Sequence, residues 1–376
     1  MGAYAIAREP VRQAARLPKH IPELDGVRGI AILLVMVYHF GTSTKPGGVL
    51  GEVLGLGWIG VDLFFVLSGF LITGILLDSK GSSHYFSYFY IRRVLRIFPL
   101  YYLTVLLFFN LILPVAHRFN QLAYISASQQ IWYLLYLVNW YGGLGHSIVP
   151  FGHFWSLCIE EQFYLVWPVL IAVSSRRIFL WICVTLVVLS PVLRFTLSHN
   201  PPSPLFLYFV TPFRMEPIAL GALIAILWRQ DRMSPFAGIT MTWVWIPAAA
   251  ILVSLCLYSQ TTVPVGTYMV RFGYTCIDLA FASLVFFVVQ AARSGNPVAL
   301  LRNPLLMNFG KYSYAMYVFH APISQYIPKI LHFGPRLVRV GLALGIGITV
   351  TYFLALLSWR TIESPFLRLK SRFGAG

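Results

Sequence analysis

The apolar residues of this chain come in long unbroken runs. Runs of about the length that crosses a membrane fall near residues 28–43, 57–78, 97–113, 153–173, 178–198, 205–228, 237–258, 267–292, 305–326 and 337–358. The first and third are short, which predicts tight packing or partial spans. An eleventh stretch, 125–140 (I-S-A-S-Q-Q-I-W-Y-L-L-Y-L-V-N-W), is polar at its start and rich in Trp and Tyr. Basic residues decide whether it crosses. If it does, the uncharged loop 141–152 turns cytoplasmic and Ser174-Ser175-Arg176-Arg177 turns external, against the positive-inside rule. If it does not, 20 Lys/Arg fall at cytoplasmic ends and 7 at external ends, with Arg214 inside a span. The pattern therefore predicts an all-α polytopic membrane protein, a bundle of about ten transmembrane helices with both termini cytoplasmic. Segment 125–140 becomes a re-entrant or interfacial piece on the outer side. Residues 1–22 read as a basic cytoplasmic arm, 23–366 as the transmembrane domain and 367–376 as a basic cytoplasmic tail.

Composition strengthens this reading. Of 376 residues, 58% are hydrophobic and 11% charged, with mean hydropathy +0.74, where soluble domains carry about 25% charged residues. The net charge of +16 does not point to nucleic acid, because the cations sit at the ends of apolar runs. Cys158, Cys183, Cys256 and Cys276 lie inside apolar runs at unrelated spacings and suggest neither a metal set nor a disulfide framework. The arginines and prolines of residues 1–22 are followed by no apolar core with a cleavage site, so a basic arm and not a signal peptide is expected. No solenoid-type repeat is visible and no appended soluble domain is expected.

Polar residues inside the spans carry the candidate chemistry. Arg28 and His39 are eleven positions apart. On a regular helix that is roughly 16 Å of rise and about three turns, so both would face one side. Arg93 and Arg96, at i and i+3, share a helix face, and two guanidiniums there suit a phosphate. His39, Ser68 (with Asp62 a turn and a half earlier), Glu160, Arg214 with Glu216, and His320 come from five spans. By helical rise they fall in one layer of the outer half of the membrane, the pattern of a lined cavity. Each has a structural alternative. Gly69 beside Ser68 suits close helix packing, Glu160 and Glu161 could pair with Arg214, and His320 could bond a backbone carbonyl. A carboxylate such as Glu160 beside a histidine would make a working general base. Titratable groups in a ten-helix bundle also suit a proton-coupled secondary transporter. That alternative predicts inverted repeats, and no convincing internal symmetry is present.

Six strings stand in order from about residue 22 to 366: L-D-G-V-R-G-I with its Arg28-x10-His39 pair, F-F-V-L-S-G-F-L, R-R-V-L-R-I-F-P-L-Y, H-F-W-S-L-C-I-E-E-Q-F-Y, Y-S-Y-A-M-Y-V-F-H-A-P and I-E-S-P-F. Together they resemble the acyltransferase 3 family of membrane O-acyltransferases. Val27 stands where leucine is usual in the first string. The resemblance implies ten membrane helices in the plasma (inner) membrane. It also implies transfer of an acyl group, most often acetyl, from cytoplasmic acyl-CoA to a hydroxyl of a carbohydrate-type or glycoside acceptor. It maps the Arg-x10-His pair needed for activity onto Arg28 and His39, the R-x-x-R element onto Arg93 and Arg96, and the glutamate of the W-S-L-x-x-E motif onto Glu160. Joined to the reading of the residues, this makes His39 and Glu160 the catalytic candidates and Arg28, Arg93 and Arg96 the candidate acyl-CoA contacts. Asp25, Ser68, His153, Arg214, Glu216 and His320 are then acceptor-site or supporting residues. In the mechanism expected, the acyl donor docks on the arginines and His39, oriented by Glu160, acts as general base, with an acyl-histidine intermediate as the variant route. Acyl-CoA is a co-substrate, with no bound cofactor and no metal. The SGNH hydrolase-like domain fused to some members is not expected after Pro365. A homo-oligomer or a separate partner acyltransferase stays open.

Overall fold

The structure, a computed structural model, describes residues 20–118, 126–149, 151–229, 240–259, 262–331 and 333–369. Most of the predicted basic arm and tail therefore lies outside the described residues. Within them the protein is an all-α polytopic membrane bundle. Eight helices are long and apolar enough to cross a membrane: Pro22–Gly41, Gly48–Ser79, Tyr85–Val115, Phe154–Val173, Arg176–Leu197, Thr211–Arg229, Met269–Arg293 and Arg336–Arg368. The other two predicted runs are helical as well. Trp243–Ser259 is apolar but shorter. Pro304–Ile330 has 27 residues but is interrupted by Lys311, Ser313, His320 and Ser324.

We label the helices α1 (Pro22–Met36, continued by a π turn over Val37–Gly41), α2 (Gly48–Gly55), α3 (Gly60–Ser79), α4 (Tyr85–Leu107), α5 (Ala127–Leu134), α6 (Val138–Gly143), α7 (Phe154–Val173), α8 (Arg176–Leu197), α9 (Met215–Arg229), α10 (Ile246–Ser259), α11 (Tyr274–Arg293), α12 (Pro304–Ile330), α13 (Arg336–Ser358, continued by a π turn over Trp359–Glu363) and α14 (Ser364–Arg368). The first and third spans are not short. α1 and α4 each begin at least one turn earlier than the apolar runs, because their polar starts (Glu23 to Arg28, Arg92 to Arg96) are themselves helical. We call the end of the bundle that carries these starts the basic end.

The segment near 125–140 does not cross. It forms two short helices, α5 and α6, joined by a break at 135–137 where Tyr136 has φ 54°. A capping box of Ser126 and Gln129 starts α5. A broken helix inside a membrane must have its carbonyls satisfied by protein. Tyr101 Oη donates to Tyr133 O (2.8 Å), Tyr102 Oη to Leu134 O (3.0 Å) and Gln162 Nε2 to Tyr136 O (2.8 Å). Gln162 is eight residues into α7, a depth of about 12 Å. The break is thus seated inside the bundle and not on its surface, as a re-entrant segment would be.

Two seams hold the bundle at backbone distance. A Cβ on Gly26 would sit 2.0 Å from Leu301 O, one on Gly29 2.1 Å from Leu306 O, and one on Gly310 1.8 Å from Asp25 O, so α1 touches α12 and the turn just before it (Ala299–Arg302) main chain to main chain. Between α3 and α9, a Cβ on Gly69 would meet Ile218 O at 2.0 Å and one on Gly221 would meet Val66 O at 2.1 Å. In lipid, where apolar burial between helices gains little, such small-residue contacts are a main source of helix association.

Gly310→Ala forces α1 and α12 apart. We expect the melting temperature of detergent-purified protein to fall by the equivalent of about 1–3 kcal/mol. Gly341→Ala, where a Cβ meets nothing within 4 Å, should leave it unchanged.

Candidate active site

A cavity of about 310 Å³ opens at the basic end between α1, α3, α4, α7 and α12. Its mouth holds Asp25, Arg28, Arg93 and Arg96. Arg93 and Arg96 share the inner face of α4, as their spacing predicts, while Arg92 is exposed. The Arg93 guanidinium lies over the rings of Phe89 (5.8 Å) and Tyr164 (5.6 Å), and its buried Nε has no partner. Arg28 stands 3.8 Å from Asp25, which accepts from His20 at 2.7 Å. Deeper in, Ser68 Oγ donates to Glu160 Oε1 (2.6 Å), and Glu160 lies within electrostatic reach of all three arginines. On α3 the lining runs from Ile75 to Val61, about 21 Å of helix.

The inner end of the cavity is formed by Ser156 and Tyr317, whose hydroxyls are 2.6 Å apart. Tyr317 Oη also donates to His153 O (2.8 Å), and its ring lies 5.1 Å from that of His320. Beyond it three imidazoles gather: His39 is 4.5 Å and His153 4.9 Å from His320, centroid to centroid. Each ring meets the main chain: His39 Nδ1 with Val35 O (3.0 Å), His320 Nδ1 with Tyr317 O (2.6 Å), His153 Nε2 with Val318 O (3.3 Å). A carbonyl only accepts, so those nitrogens carry the protons and the opposite ones hold lone pairs. His320 Nε2 and His153 Nδ1 are buried without a partner. Among the described residues no three His, Cys, Asp or Glu side chains are grouped to hold a metal ion.

The structure divides what the sequence placed in one lined cavity. Of that layer, Ser68 and Glu160 line the open cavity, where they join Asp25, Arg28, Arg93 and Arg96, and His39 and His320 form with His153 the cluster behind its inner end. Glu160 is bonded to Ser68 and not to His39, which differs from the expected carboxylate–imidazole pair. The π turn explains part of this. His39 is its third residue, and a π turn rotates less per residue than an α-helix. The Arg28–His39 register therefore departs from a regular helix, and Arg28 lines the cavity while His39 does not.

Arg214 and Glu216 belong to neither group. Arg214 is bonded to Asp62, and Arg194 Nη2 donates to Glu216 Oε2 (2.5 Å) and Thr275 Oγ1 (2.9 Å). All four charged side chains are buried, with Asp278 beside Asp62. The Arg214 guanidinium stacks on Tyr274 (4.4 Å) and Tyr208 (5.3 Å). The partner of Arg214 is thus Asp62, not Glu160 or Glu161. Arg194, Asp278, Ser156 and Tyr317 stand out in no string read for chemistry. The spacing of Tyr317 and His320, i and i+3 on one helix face, is the signal that could have marked the tyrosine.

Residues 21–358 match the acyltransferase 3 family model, described as an acyltransferase domain. The chain belongs to the acyltransferase 3 family. Within it, the chain is similar to the peptidoglycan O-acetyltransferase OatA of Listeria monocytogenes, 30% identical over 92% of this chain and 56% of that protein. It is 30% identical to the putative peptidoglycan O-acetyltransferase YrhL of Bacillus subtilis over 92% of this chain and 55% of that one. It is 28% identical to the O-acetyltransferase OatA of Staphylococcus aureus over 93% and 57%. The chain therefore spans a little over half the length of these relatives. No solved structure matches it. The family membership places both the arginine cavity and the histidine cluster inside the matched region.

Leaving a buried charge unpaired costs about 3–5 kcal/mol. Arg214→Met alone should destabilise the detergent-purified protein by that order. Arg214→Met with Asp62→Leu, which removes both charges, should recover much of the loss in a thermal melt.

Proposed function

We propose that this chain is a multi-pass O-acyltransferase of the plasma (inner) membrane, with its transmembrane unit (23–366) as the catalytic body. It moves an acetyl group from acyl-CoA, taken at a cytoplasmic basic end, to a hydroxyl of a carbohydrate-type acceptor. The observation that carries the reading is continuity. A cavity lined by three arginines at its mouth ends on Tyr317, whose ring lies 5.1 Å from that of His320 and 5.5 Å from that of His153. The peptidoglycan named for two of the relatives makes a cell-wall glycan the favoured acceptor class.

Arg28, Arg93 and Arg96 offset the charge of the donor's phosphates by charge-assisted hydrogen bonds. Glu160, held by Ser68, keeps this basic mouth from being a field of like charges. The pantetheine arm extends along α3 toward Ser156 and Tyr317, whose hydroxyls can meet the thioester oxygen. His39 keeps its Nε2 lone pair free because Nδ1 is committed to Val35. It takes the proton of the acceptor hydroxyl as that oxygen attacks the thioester carbon. The carbon–sulfur bond breaks, and free coenzyme A leaves with the proton on its thiol. In the acyl-histidine variant the imidazole itself attacks first. His153 and His320 hold the ring of His39 in place.

Incubation of purified protein with radiolabelled acetyl-CoA and a muropeptide acceptor tests this. His39→Ala should lower coenzyme A release by about 10²–10⁴-fold, the usual worth of a general base. Arg93→Ala/Arg96→Ala should raise KM for acetyl-CoA instead. Unchanged release in His39→Ala would remove the histidine from the mechanism. Label retained on the wild-type protein would favour the acyl-histidine route.

A further inference from the structure

A second cavity, of about 340 Å³, adjoins the first at the basic end. The two share Asp25, Arg28, Arg96 and Tyr314, so the outer one is a vestibule to the inner. Its far walls belong to parts of the chain that the donor cavity does not use. Asn308 and Lys311 come from the first turns of α12, and Trp359 and Glu363 from the π turn that ends α13. The I-E-S-P-F string, which the catalytic reading leaves without a task, supplies Glu363.

The chemistry of these walls is mixed in a particular way. The Lys311 ammonium lies 5.2 Å over the Trp359 ring and 5.0 Å over that of Tyr312, so a cation sits beside a flat apolar surface. Glu363 is held by Ser358 (3.1 Å), which leaves its second oxygen as an acceptor, and Asn308 carries both a donor and an acceptor. Arg28 and Arg96 stand at the junction with the inner cavity. A ligand that fits this set has a flat heteroaromatic ring with donor and acceptor edges and carries phosphate both at the junction and near Lys311.

We propose that the vestibule binds the 3′-phosphorylated adenosine diphosphate end of the acyl donor. The base stacks on Trp359 and is read by Asn308 and Glu363. Lys311 meets the 3′-phosphate, and Arg28 and Arg96 meet the diphosphate where the cavities join. This rests on the acyl-CoA reading above and extends it. The spacing along α12 agrees. From Lys311 to His320 is nine residues, about 14 Å of rise, so a nucleotide at Lys311 leaves the arm to span the distance to the histidines. A thioester without the nucleotide would forgo all these contacts.

The test uses the full chain in detergent and two acetyl donors, acetyl-CoA and S-acetylpantetheine, with adenosine 3′,5′-bisphosphate as competitor. The wild type should prefer acetyl-CoA in kcat/KM and be inhibited by the bisphosphate competitively with acetyl-CoA. Lys311→Ala and Trp359→Leu should each lower that donor preference at least tenfold and weaken the inhibition in parallel. Lys311→Gln, which keeps the stem and removes the charge, separates loss of the cation from loss of packing and should show most of the Lys311→Ala effect. A wild type that uses both donors equally, or resists the bisphosphate, overturns the subsite while leaving the acyltransferase reading intact. So do variants whose donor preference is unchanged. Transfer from neither donor would instead sink the donor reading itself.

Discussion

The main-chain contact between α1 and α12 sets the heights at which everything else meets. Gly29 and Gly310 lie together where no side chain fits, so the two helices cannot slide past one another by even part of a turn. Both run away from the basic end. His39 is ten residues beyond Gly29 and His320 ten beyond Gly310, so both helices rise about 15 Å to reach their histidines. The imidazoles arrive level and meet at 4.5 Å. Arg28 and Lys311, each one residue from the contact, arrive level at the other end. A fixed register at one point thus produces two sites, a cationic one and an imidazole one, a set distance apart.

Around this frame the bundle keeps its polar groups in separate compartments. The open cavity holds guanidiniums balanced against Glu160 and Asp25, groups that a charged ligand can replace as partners. Arg214 with Asp62 and Arg194 with Glu216 form two buried ion pairs. With Thr275, which Arg194 also bonds, they tie α3, α8, α9 and the start of α11 together. The π turn under His39 serves the same separation. It seats Phe40 against Gly347 of α13 and lets the imidazole turn toward α12 and away from the cavity.

Much of the architecture was legible in the sequence because lipid leaves few choices. Apolar runs, basic ends and a Trp/Tyr-rich piece that should not cross were enough to predict helices and a re-entrant segment. Arg93 and Arg96 were legible because i and i+3 on a helix share a face whatever surrounds them. Pairings were not. Depth along a span follows from counting residues, but the rotation that decides whether Glu160 faces Ser68 or His39 depends on packing. A single π turn changes that rotation with no marker in composition. Arg194 was hidden for a related reason. Its carboxylate partner, Glu216, is 22 positions away on another helix, and no local pattern joins them.

The buried ion pairs also bear on how the protein comes to be in the membrane. α3, α8 and α9 each carry a charge that is expensive in hydrocarbon. Each is apolar enough to span by itself, but its charge is paired only when the counter-charge on another helix has arrived. Asp62 is made long before Arg214, and Arg194 just before Glu216. The two ion pairs of this half of the bundle therefore close only when its later helices are in place. A chain interrupted before residue 214 would leave Asp62 in the membrane without its counter-charge.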